Sequence, residues 1–200
     1  MHYNQEMGSI LGEINRFFRF NLMYLFNPPW DTGIPVPELV DFISDHKPGW
    51  ALDLGCGSGT NMAAFLAAGW RVDGIDFAWL AASKAKRKIR QFENKGKVYW
   101  SNVVDLEFLN GRYDLIYDIG CFHGLRLEVR EKYSRNIKRL IKRNGHYLIY
   151  AFRAKSNDSF GIREVDIEKF SAFLIEEKRL ESVDERNRQA LFMEFFKSNN

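Results

Sequence analysis

The chain has 200 residues, of which 46% are apolar and 15% aromatic, and its formal net charge is +3. This length fits a single domain, and the apolar share provides a buried core and argues against intrinsic disorder. So small a net charge does not indicate nucleic-acid binding. The two cysteines, Cys56 and Cys121, exclude a disulfide framework and have no neighbours at a zinc-ligand spacing, so reduced thiols and a cytoplasmic location are expected.

The apolar segment INRFFRFNLMYLF, residues 14–26, is too short to cross a membrane and carries Arg16 and Arg19. A membrane span needs about 20 apolar residues. Because no basic leader with a small-residue cleavage site precedes this segment, we predict neither a membrane span nor a signal peptide.

From residue 50 onward strands and helices alternate, which predicts a parallel sheet covered by helices on both faces. The predicted strands are residues 50–54, 71–76, 98–102, 113–118, 146–152, 177–184 and 190–196. The predicted helices are residues 61–68, 79–94, 128–142 and 165–174, the third of them stopped by Asn144 and Gly145. The basic residues of the helix at 79–94 are expected to form a solvated surface.

The most informative stretch is ALDLGCGSGTNMAAFLAAGWRVDGID, residues 51–76. A short apolar strand leads into glycines at alternate positions, Gly55, Gly57 and Gly59, and a second strand ends on Asp76. Glycine lets a ligand lie against the backbone, and free N–H groups at the start of the next helix favour a negatively charged ligand group. A carboxylate at the tip of the second strand can accept both hydroxyls of a ribose. Together these features predict a nucleoside-binding crevice.

The glycine spacing distinguishes between the cofactors that contain a nucleoside. The dinucleotide fingerprint is G-x-G-x-x-G, whereas this chain has G-x-G-x-G after Asp53 and Leu54. The string DLGCGSG resembles the first motif of class I S-adenosylmethionine (SAM)-dependent methyltransferases. This resemblance implies S-adenosyl-L-methionine as cofactor and an α/β fold, a Rossmann-like three-layer sandwich with a seven-stranded, mostly parallel sheet and an antiparallel last strand. The alternative is a glycine-rich turn in another α/β domain, such as a nicotinamide-dependent dehydrogenase.

In open α/β sheets ligands bind beyond the carboxyl ends of the strands, so the candidate residues follow the strands. Asp53 is expected beneath the glycine loop, accepting backbone N–H groups or the SAM amino group. Asp76 would hold the ribose and Phe77 one face of adenine, with a helix N-cap as the alternative for Asp76. Asn102 would bind the adenine amino group or, alternatively, stabilise its own loop. The complete set of predicted cofactor-binding residues is Trp30, Asp53, Gly55, Cys56, Gly57, Gly59, Asn61, Asp76, Phe77, Asn102, Val103, Asp118 and Ile119.

The fourth strand ends in DIGCFH, residues 118–123, and is expected beside the methyl group that is transferred. His123 is the candidate general base or substrate-orienting group, because imidazole titrates near neutral pH. Its alternative role is a loop histidine that caps a turn or closes on the cofactor. Trp30, Cys121, Phe122 and His123 form the predicted substrate pocket, with Phe17 or Phe18 nearby, and no metal is predicted.

The tetrapeptide NPPW, residues 27–30, resembles a motif of amino methyltransferases that act on adenine or cytosine in nucleic acids. In some members of that family the motif precedes the glycine loop, but here too few residues separate the two for the intervening strands and helices. The longer string PWDTGIPVPELVDFI instead resembles the N-terminal part of thiopurine, halide/thiol and tellurite methyltransferases, in which a tryptophan-containing segment folds over the cofactor as a lid. Its prolines make the segment stiff. The alternative is an arm that only packs against the sheet.

We therefore predict an N-terminal helix and lid in residues 1–49 that pack on a SAM-binding core in residues 50–200, as one domain overall. The expected function is transfer of the sulfonium methyl group to a small-molecule acceptor, with a thiol, a halide or a similar soft nucleophile favoured. The alternatives are an RNA- or protein-directed methyltransferase and a non-catalytic SAM-binding module. Nucleic acid is not expected as a partner.

Overall fold

The computed structural model describes residues 2–26, 28–92, 94–155, 160–183 and 187–199, and within the first helix the side chains of residue 12 and residues 15–25. Its strands are β1 (Trp50–Leu54), β2 (Arg71–Asp76), β3 (Gly96–Trp100), β4 (Tyr113–Ile119), β5 (Ile141–Phe152), β6 (Ile175–Val183) and β7 (Gln189–Phe196). Its helices are α1 (His2–Leu25), α2 (Pro37–Asp45), α3 (Thr60–Ala67), α4 (Trp79–Ile89), α5 (Leu127–Leu140) and α6 (Glu164–Ser171). Residue 184, the predicted end of β6, lies outside the described residues.

The strands form one sheet in the order β3-β2-β1-β4-β5-β7-β6. β1 pairs in parallel with both β2 and β4, and β7 runs antiparallel between β5 and β6. β1, β2 and β4 are buried along most of their length, as expected for strands covered on both faces. This arrangement confirms the predicted α/β class and the antiparallel last strand.

Two helical layers cover the sheet. α2, α3 and α4 bury an apolar cluster with Phe42, Phe65 and Ala82 on one face. α5 and α6 bury a second cluster with Tyr133 and Phe170 on the other face. Helix α5 packs well because its buried residues recur at helical spacing and form one stripe: Arg130, Tyr133, Ile137 and Leu140.

Strand β5 starts earlier than predicted. α5 ends at Leu140 and β5 begins at the next residue, so Asn144 and Gly145 lie inside the strand rather than at a helix stop. Asn144 has φ 58, and the β4–β5 register shifts between Tyr113 and Leu115. This irregularity absorbs the turn residues, because a bulge tolerates a left-handed residue without ending the strand.

The strand order places a crevice at the carboxyl ends of β1 and β4, where the connections from the two halves of the sheet diverge. The loops after β1, β2 and β4 all open at this edge. Among the described residues, no helix combines the length and the apolar character that a membrane crossing requires.

Candidate active site

The glycine loop after β1 is fixed to β2 by backbone hydrogen bonds. The N–H groups of Gly55 and Cys56 both donate to the carbonyl of Ile75, at 2.8 and 2.9 Å. Gly57 has φ 54, and a Cβ built on it would lie 2.8 Å from the hydroxyl of Tyr24. Both the left-handed backbone and this close approach require glycine at position 57.

Asp76 ends β2 with its side chain turned back under the glycine loop. Oδ2 accepts the N–H of Gly57 at 2.9 Å, and Oδ1 accepts the N–H of Ala78 at 2.8 Å. Burial raises the pKa of this carboxyl to about 6, although the two backbone bonds counteract the rise. Each oxygen keeps a second lone pair for a ligand hydroxyl. Asp76 is not itself the N-cap residue of α4, which is Ala78, but its bond to the N–H of Ala78 also supports the start of that helix.

Asp53 lies beneath the loop, where it was expected. Its side chain is buried, and Oδ2 has no hydrogen-bond partner within the described ranges. Burial raises the pKa of Asp53, and the negative charges of Asp118 and Asp76 add to the rise. A buried oxygen without a partner is rare and calls for an explanation. A cationic ligand group at this position would satisfy it, and the amino group of SAM fits that requirement.

Asp118 organises the loop after β4. Oδ1 accepts the N–H groups of Cys121 and Phe122 at 2.7 and 3.1 Å, and Oδ2 accepts the hydroxyl of Tyr133 at 2.6 Å. Burial raises the pKa of Asp118 to about 6. Because both oxygens are engaged by the chain itself, the contacts favour a loop-fixing role over direct cofactor contact.

Phe77, the predicted adenine contact, packs against side chains of α1. The ring of Phe77 lies edge-on to Phe20, with ring centroids 5.2 Å apart, and the guanidinium of Arg16 lies 5.4 Å from its centroid. Asn102 is exposed and its Oδ1 accepts the N–H of Val104 at 3.3 Å, which matches the loop-stabilising alternative. Val103 itself is buried, so it presents little but backbone to a ligand.

Helix α1 covers the cofactor side of the crevice. An N-terminal helix packed on the core was expected, but its contacts with the glycine loop and with α4 were not. Tyr24 is buried against the glycine loop, and its hydroxyl accepts the indole N–H of Trp30 at 3.4 Å. Asn21 accepts the N–H of Leu80 in the first turn of α4 at 3.0 Å. Phe18, suggested as a pocket residue, is 65% exposed. The spacing of Phe17, Phe20, Asn21 and Tyr24 at i, i+3, i+4 and i+7 marks one helix face and could have identified these residues.

The predicted lid segment is attached to the start of α3. The hydroxyl of Ser58 donates to Asp31 at 2.6 Å, and the N–H of Val36 donates to Asn61 at 3.2 Å. Trp30 remains 51% exposed. Asn27, the first residue of the NPPW string, lies outside the described residues.

Lys88 departs from the expected solvated surface of α4. It is half-buried, and its Nζ donates to Thr60 at 2.6 Å and to Ser58 at 3.2 Å. It therefore supports the same loop that the lid segment contacts.

His123 sits among aromatic rings at the end of β4. Its Nδ1 accepts the backbone N–H of Phe152 at 3.3 Å. The rings of Phe152 and Phe160 lie 4.8 and 4.9 Å from its own. Burial lowers the pKa of His123 to about 4, and the positive charges of Arg188 and Arg130 lower it further. The imidazole is therefore neutral at physiological pH.

Phe122 of the DIGCFH string differs from its predicted position. Phe122 is 1% exposed and packs in the core against Tyr133 and Phe170, because a 3₁₀ turn directs it inward. This argues against its predicted place in the substrate pocket. Cys121 is half-buried and lies so close to Gly55 that a Cβ there would approach its own Cβ to 2.6 Å. Ile119, also half-buried, packs on the α2–α4 side of the sheet.

A buried ion pair holds the acceptor side together. Arg130 of α5 donates to Asp166 of α6 at 2.6 Å and to the carbonyl of Gly161 at 2.8 Å. The N–H of Gly161 in turn donates to the carbonyl of His123 at 2.8 Å. Through these bonds Arg130 fixes the segment that carries Phe160, which sequence reasoning did not associate with the site.

Known proteins resemble this chain in sequence and in fold. Residues 51–145 match a family model described as a methyltransferase domain. A 2-heptyl-1-hydroxyquinolin-4(1H)-one methyltransferase of Mycobacteroides abscessus is 28% identical over 127 residues, which are 62% of this chain and 56% of that protein. The probable thiol methyltransferase 2 of Arabidopsis thaliana is 25% identical over 152 residues, 74% of this chain and 66% of that protein. The chain thus aligns with less than the full length of both relatives.

The fold also matches that of the 1,6-didemethyltoxoflavin-N1-methyltransferase of Burkholderia thailandensis, which was crystallised with 1,6-didemethyltoxoflavin and S-adenosylhomocysteine bound. The TM-score is 0.78 at 18% identity, covering 98% of this chain and 90% of that one. This likeness confirms the predicted Rossmann-like architecture.

Proposed function

We propose that the chain is a class I SAM-dependent methyltransferase, as its glycine motif predicts, and that it methylates a small-molecule acceptor that is already ionised or strongly nucleophilic. Thiols, halide-like anions such as thiocyanate, and acidic hydroxyl groups belong to this class. The observation that carries the proposal is that the imidazole of His123 is neutral and that its Nδ1 lone pair is engaged by the backbone N–H of Phe152.

SAM is the cofactor of this class, and when bound it supplies an electrophilic methyl group on a sulfonium. The residues present fit it. Asp53 offers its unpartnered buried oxygen to the amino group, and Asp76 offers its remaining lone pairs to the ribose hydroxyls. Phe77 borders the adenine position, and Tyr24 closes the crevice from α1.

His123 is poorly suited to take a proton from the acceptor. Its Nδ1 accepts the N–H of Phe152, so in the neutral ring the proton resides on Nε2 and no lone pair is free. A base with a pKa of about 4 also provides little driving force at neutral pH. The Nε2–H can instead donate a hydrogen bond that orients the acceptor.

Asp118 and Cys121 are further titratable groups at this end of β4. The oxygens of Asp118 are engaged by two backbone N–H groups and by Tyr133, and burial raises the pKa of the Cys121 thiol. An acceptor that binds here therefore has to bring its own nucleophilicity. A thiolate, a soft anion or an ionised N-hydroxyl does so, whereas an alcohol or a protonated amine does not.

The surroundings of His123 suit an anionic acceptor with an apolar body. Phe152 and Phe160 flank the imidazole, and the guanidinium of Arg188 lies 3.8 Å from the ring centroid of Phe152. Aromatic walls bind an apolar group, and a nearby cation attracts negative charge. The relatives named for a thiol and for a hydroxyquinolone have acceptors of this kind.

Two alternative functions receive less support. An RNA- or protein-directed enzyme would use a basic rim at this end of the sheet. The fold does bring arginines there, but Arg153 pairs with Glu164 and Glu181, and Arg163 pairs with Asp166. A non-catalytic SAM-binding module remains the second alternative. The proposal includes a cytoplasmic location and a lid formed by residues 1–49 on the core of residues 50–200.

A methyl-transfer panel tests the proposal. The full chain is incubated with SAM carrying a labelled methyl group and with thiols, thiocyanate, iodide, an N-hydroxyquinolone, simple phenols, amines and RNA. We expect turnover with the acidic or soft acceptors and a rate that rises with pH as the acceptor itself ionises.

Calorimetric titration with SAM, S-adenosylhomocysteine and NAD serves as the control for the cofactor. Efficient methylation of an amine or of RNA, with thiols and N-hydroxyl compounds inert, would overturn the acceptor class. SAM binding without turnover of any acceptor would favour the non-catalytic module.

A further inference from the structure

A cluster of two histidines and a glutamate lies far from the active site. His146 is six residues before Phe152 on β5, which at 3.3 Å per residue is about 20 Å from the carboxyl end of the strand. His46 follows α2, and Glu194 belongs to β7. One potential ligand atom from each residue lies within 4.8 Å of the other two. The cluster therefore joins the N-terminal segment to the sheet.

A hydrogen bond fixes the Nδ1 atom of each imidazole. Nδ1 of His46 lies 3.0 Å from the carbonyl oxygen of Phe42, and Nδ1 of His146 lies 3.0 Å from Oε1 of Glu194. Carbonyl and carboxylate oxygens only accept, so each Nδ1 carries a proton and each Nε2 keeps its lone pair. For His46 this is the usual arrangement of a metal-bound histidine, whose other nitrogen donates to a carbonyl. Glu194 lies on the Nδ1 side of His146, so a metal bound by both residues takes the place of the proton on that nitrogen.

Packing holds the rings together. The ring of His46 stacks on Phe42 with centroids 3.8 Å apart, and the two imidazole centroids are 4.8 Å apart. His146 is 17% and Glu194 18% exposed, so the cluster is shielded and still reachable from solvent.

The local charge is negative. Glu177 brings a second carboxylate to 3.8 Å from Nδ1 of His146. Lys178, across the strand pair from Glu194, offsets part of this charge. The remaining negative charge favours the binding of a cation.

We propose that His46, His146 and Glu194 form a binding site for a divalent transition metal ion, with Zn²⁺ the best match. Two imidazoles and one carboxylate suit zinc, whereas Mg²⁺ and Ca²⁺ prefer oxygen ligands throughout. Ligand atoms around tetrahedral zinc are about 3.3 Å apart. Nδ1 of His146 and Oε1 of Glu194 are already 3.0 Å apart, so His46 is the side chain that has to approach, by about 1.5 Å at most. Bound metal links the end of α2 to β5 and β7 and stabilises the N-terminal segment on the core.

The test uses the full chain without an affinity tag, titrated calorimetrically with ZnCl₂ after removal of metal by a chelator. We expect one ion per chain and a rise in the melting temperature. His46→Gln and Glu194→Gln should each weaken binding at least about tenfold, since each removes one ligand. His123→Gln is the matched control and should bind zinc as the wild type does.

Replacement by Co²⁺ identifies the ligand type without any variant. Nitrogen and oxygen ligands give visible absorption bands and no thiolate charge-transfer band in the near ultraviolet. Melting curves of the metal-free variants check that they fold. A thiolate band, zinc affinity unchanged in both His46→Gln and Glu194→Gln, or no zinc binding by the wild type would each overturn the proposal.

Discussion

The cofactor side and the acceptor side of the crevice are built from different kinds of contact. On the cofactor side, the loop and its acid come from one stretch, residues 51–76, and Asp76 bonds backbone groups within it. On the acceptor side, His123, Phe160 and Arg188 come from three separate segments. Bonds through Gly161 join the first two, and Arg188 lies over the ring of Phe152. The first side depends on short-range geometry, and the second depends on tertiary packing. The same difference decides which substitutions should affect which ligand.

The largest expected effect is on the acceptor side. Arg130→Met leaves Asp166 buried with only Arg163 as a partner, so we expect a loss of about 3–5 kcal/mol in the free energy of unfolding. Denaturant melts measure this loss. KM for the acceptor should rise more than the dissociation constant of SAM.

Arg135→Met is the matched control on the same helix. Arg135 forms an exposed pair with Glu131, and its loss should change stability by less than about 0.5 kcal/mol. Equal effects of the two substitutions, or a larger effect of Arg130→Met on SAM than on the acceptor, would contradict the separation of the two sides.

On the cofactor side, Gly57→Ala should weaken SAM binding at least about tenfold, because it adds a clash with Tyr24 to a left-handed backbone. Gly33→Ala has a similar backbone cost, since Gly33 has φ 73, but its Cβ would meet nothing within 4 Å. Calorimetry on both variants separates the clash from the backbone cost. Tyr24→Phe in the Gly57→Ala background should recover part of the affinity, and no recovery would place the cause elsewhere.

Asp76→Ala should weaken SAM by about 1–3 kcal/mol, because the ribose and two backbone N–H groups lose their acceptor. In the free protein the pKa of Asp76 is about 6, so below pH 6 the carboxyl is protonated and accepts poorly. SAM affinity should therefore fall from pH 7 to pH 5, and SAM binding in that range should release protons.

Asp76→Asn should flatten most of this pH dependence, and Asp118, with a pKa also about 6, accounts for any remaining slope. Asp73→Asn is the control on the same strand, because Asp73 accepts the hydroxyl of Tyr113 and should affect stability only. A pH dependence that persists unchanged in Asp76→Asn would remove Asp76 from the cofactor site.

The smallest expected effect concerns His123. His123→Gln keeps a side-chain donor and should change kcat with a thiol by less than about threefold, because no proton transfer through the ring is required. The kcat profile of the wild type should show no ionisation near pH 6.5. A hundredfold loss with every acceptor would instead establish the imidazole as a base.

The sequence was sufficient for the parts of the molecule with local causes. β1 and β2 begin and end as predicted, and Asp53 and Asp76 lie at the glycine loop. Their positions follow from a strand, a turn and a helix that are neighbours in the chain. The early start of β5 was missed because the left-handed Asn144 can end a helix or form a bulge, and only the pairing with β4 decides between them.

The acceptor side was less accessible to sequence reasoning. Phe122 was chosen for the pocket because it neighbours His123, but the 3₁₀ turn directs it into the core. Phe160 reaches the imidazole from a segment about forty residues away, and no periodicity announces that contact. The helix face of Tyr24 was readable from its spacing, although the surface it covers depends on the fold.

Helix α4 lacks a capping side chain of its own, and its first turn is completed by groups outside it. Asp76 engages the N–H of Ala78, and Asn21 from α1 engages the N–H of Leu80. The docking of α1 and the binding of a ligand in the crevice therefore both stabilise the first turn of α4. By thermodynamic linkage, each of the two should strengthen the other. A bound ligand should therefore slow the proteolysis of α1. A chain cut after α1 should bind the ligand more weakly, by the same factor by which the ligand strengthens the docking of α1. The rate at which a protease cleaves the amino-terminal helix should therefore report whether a ligand occupies the crevice.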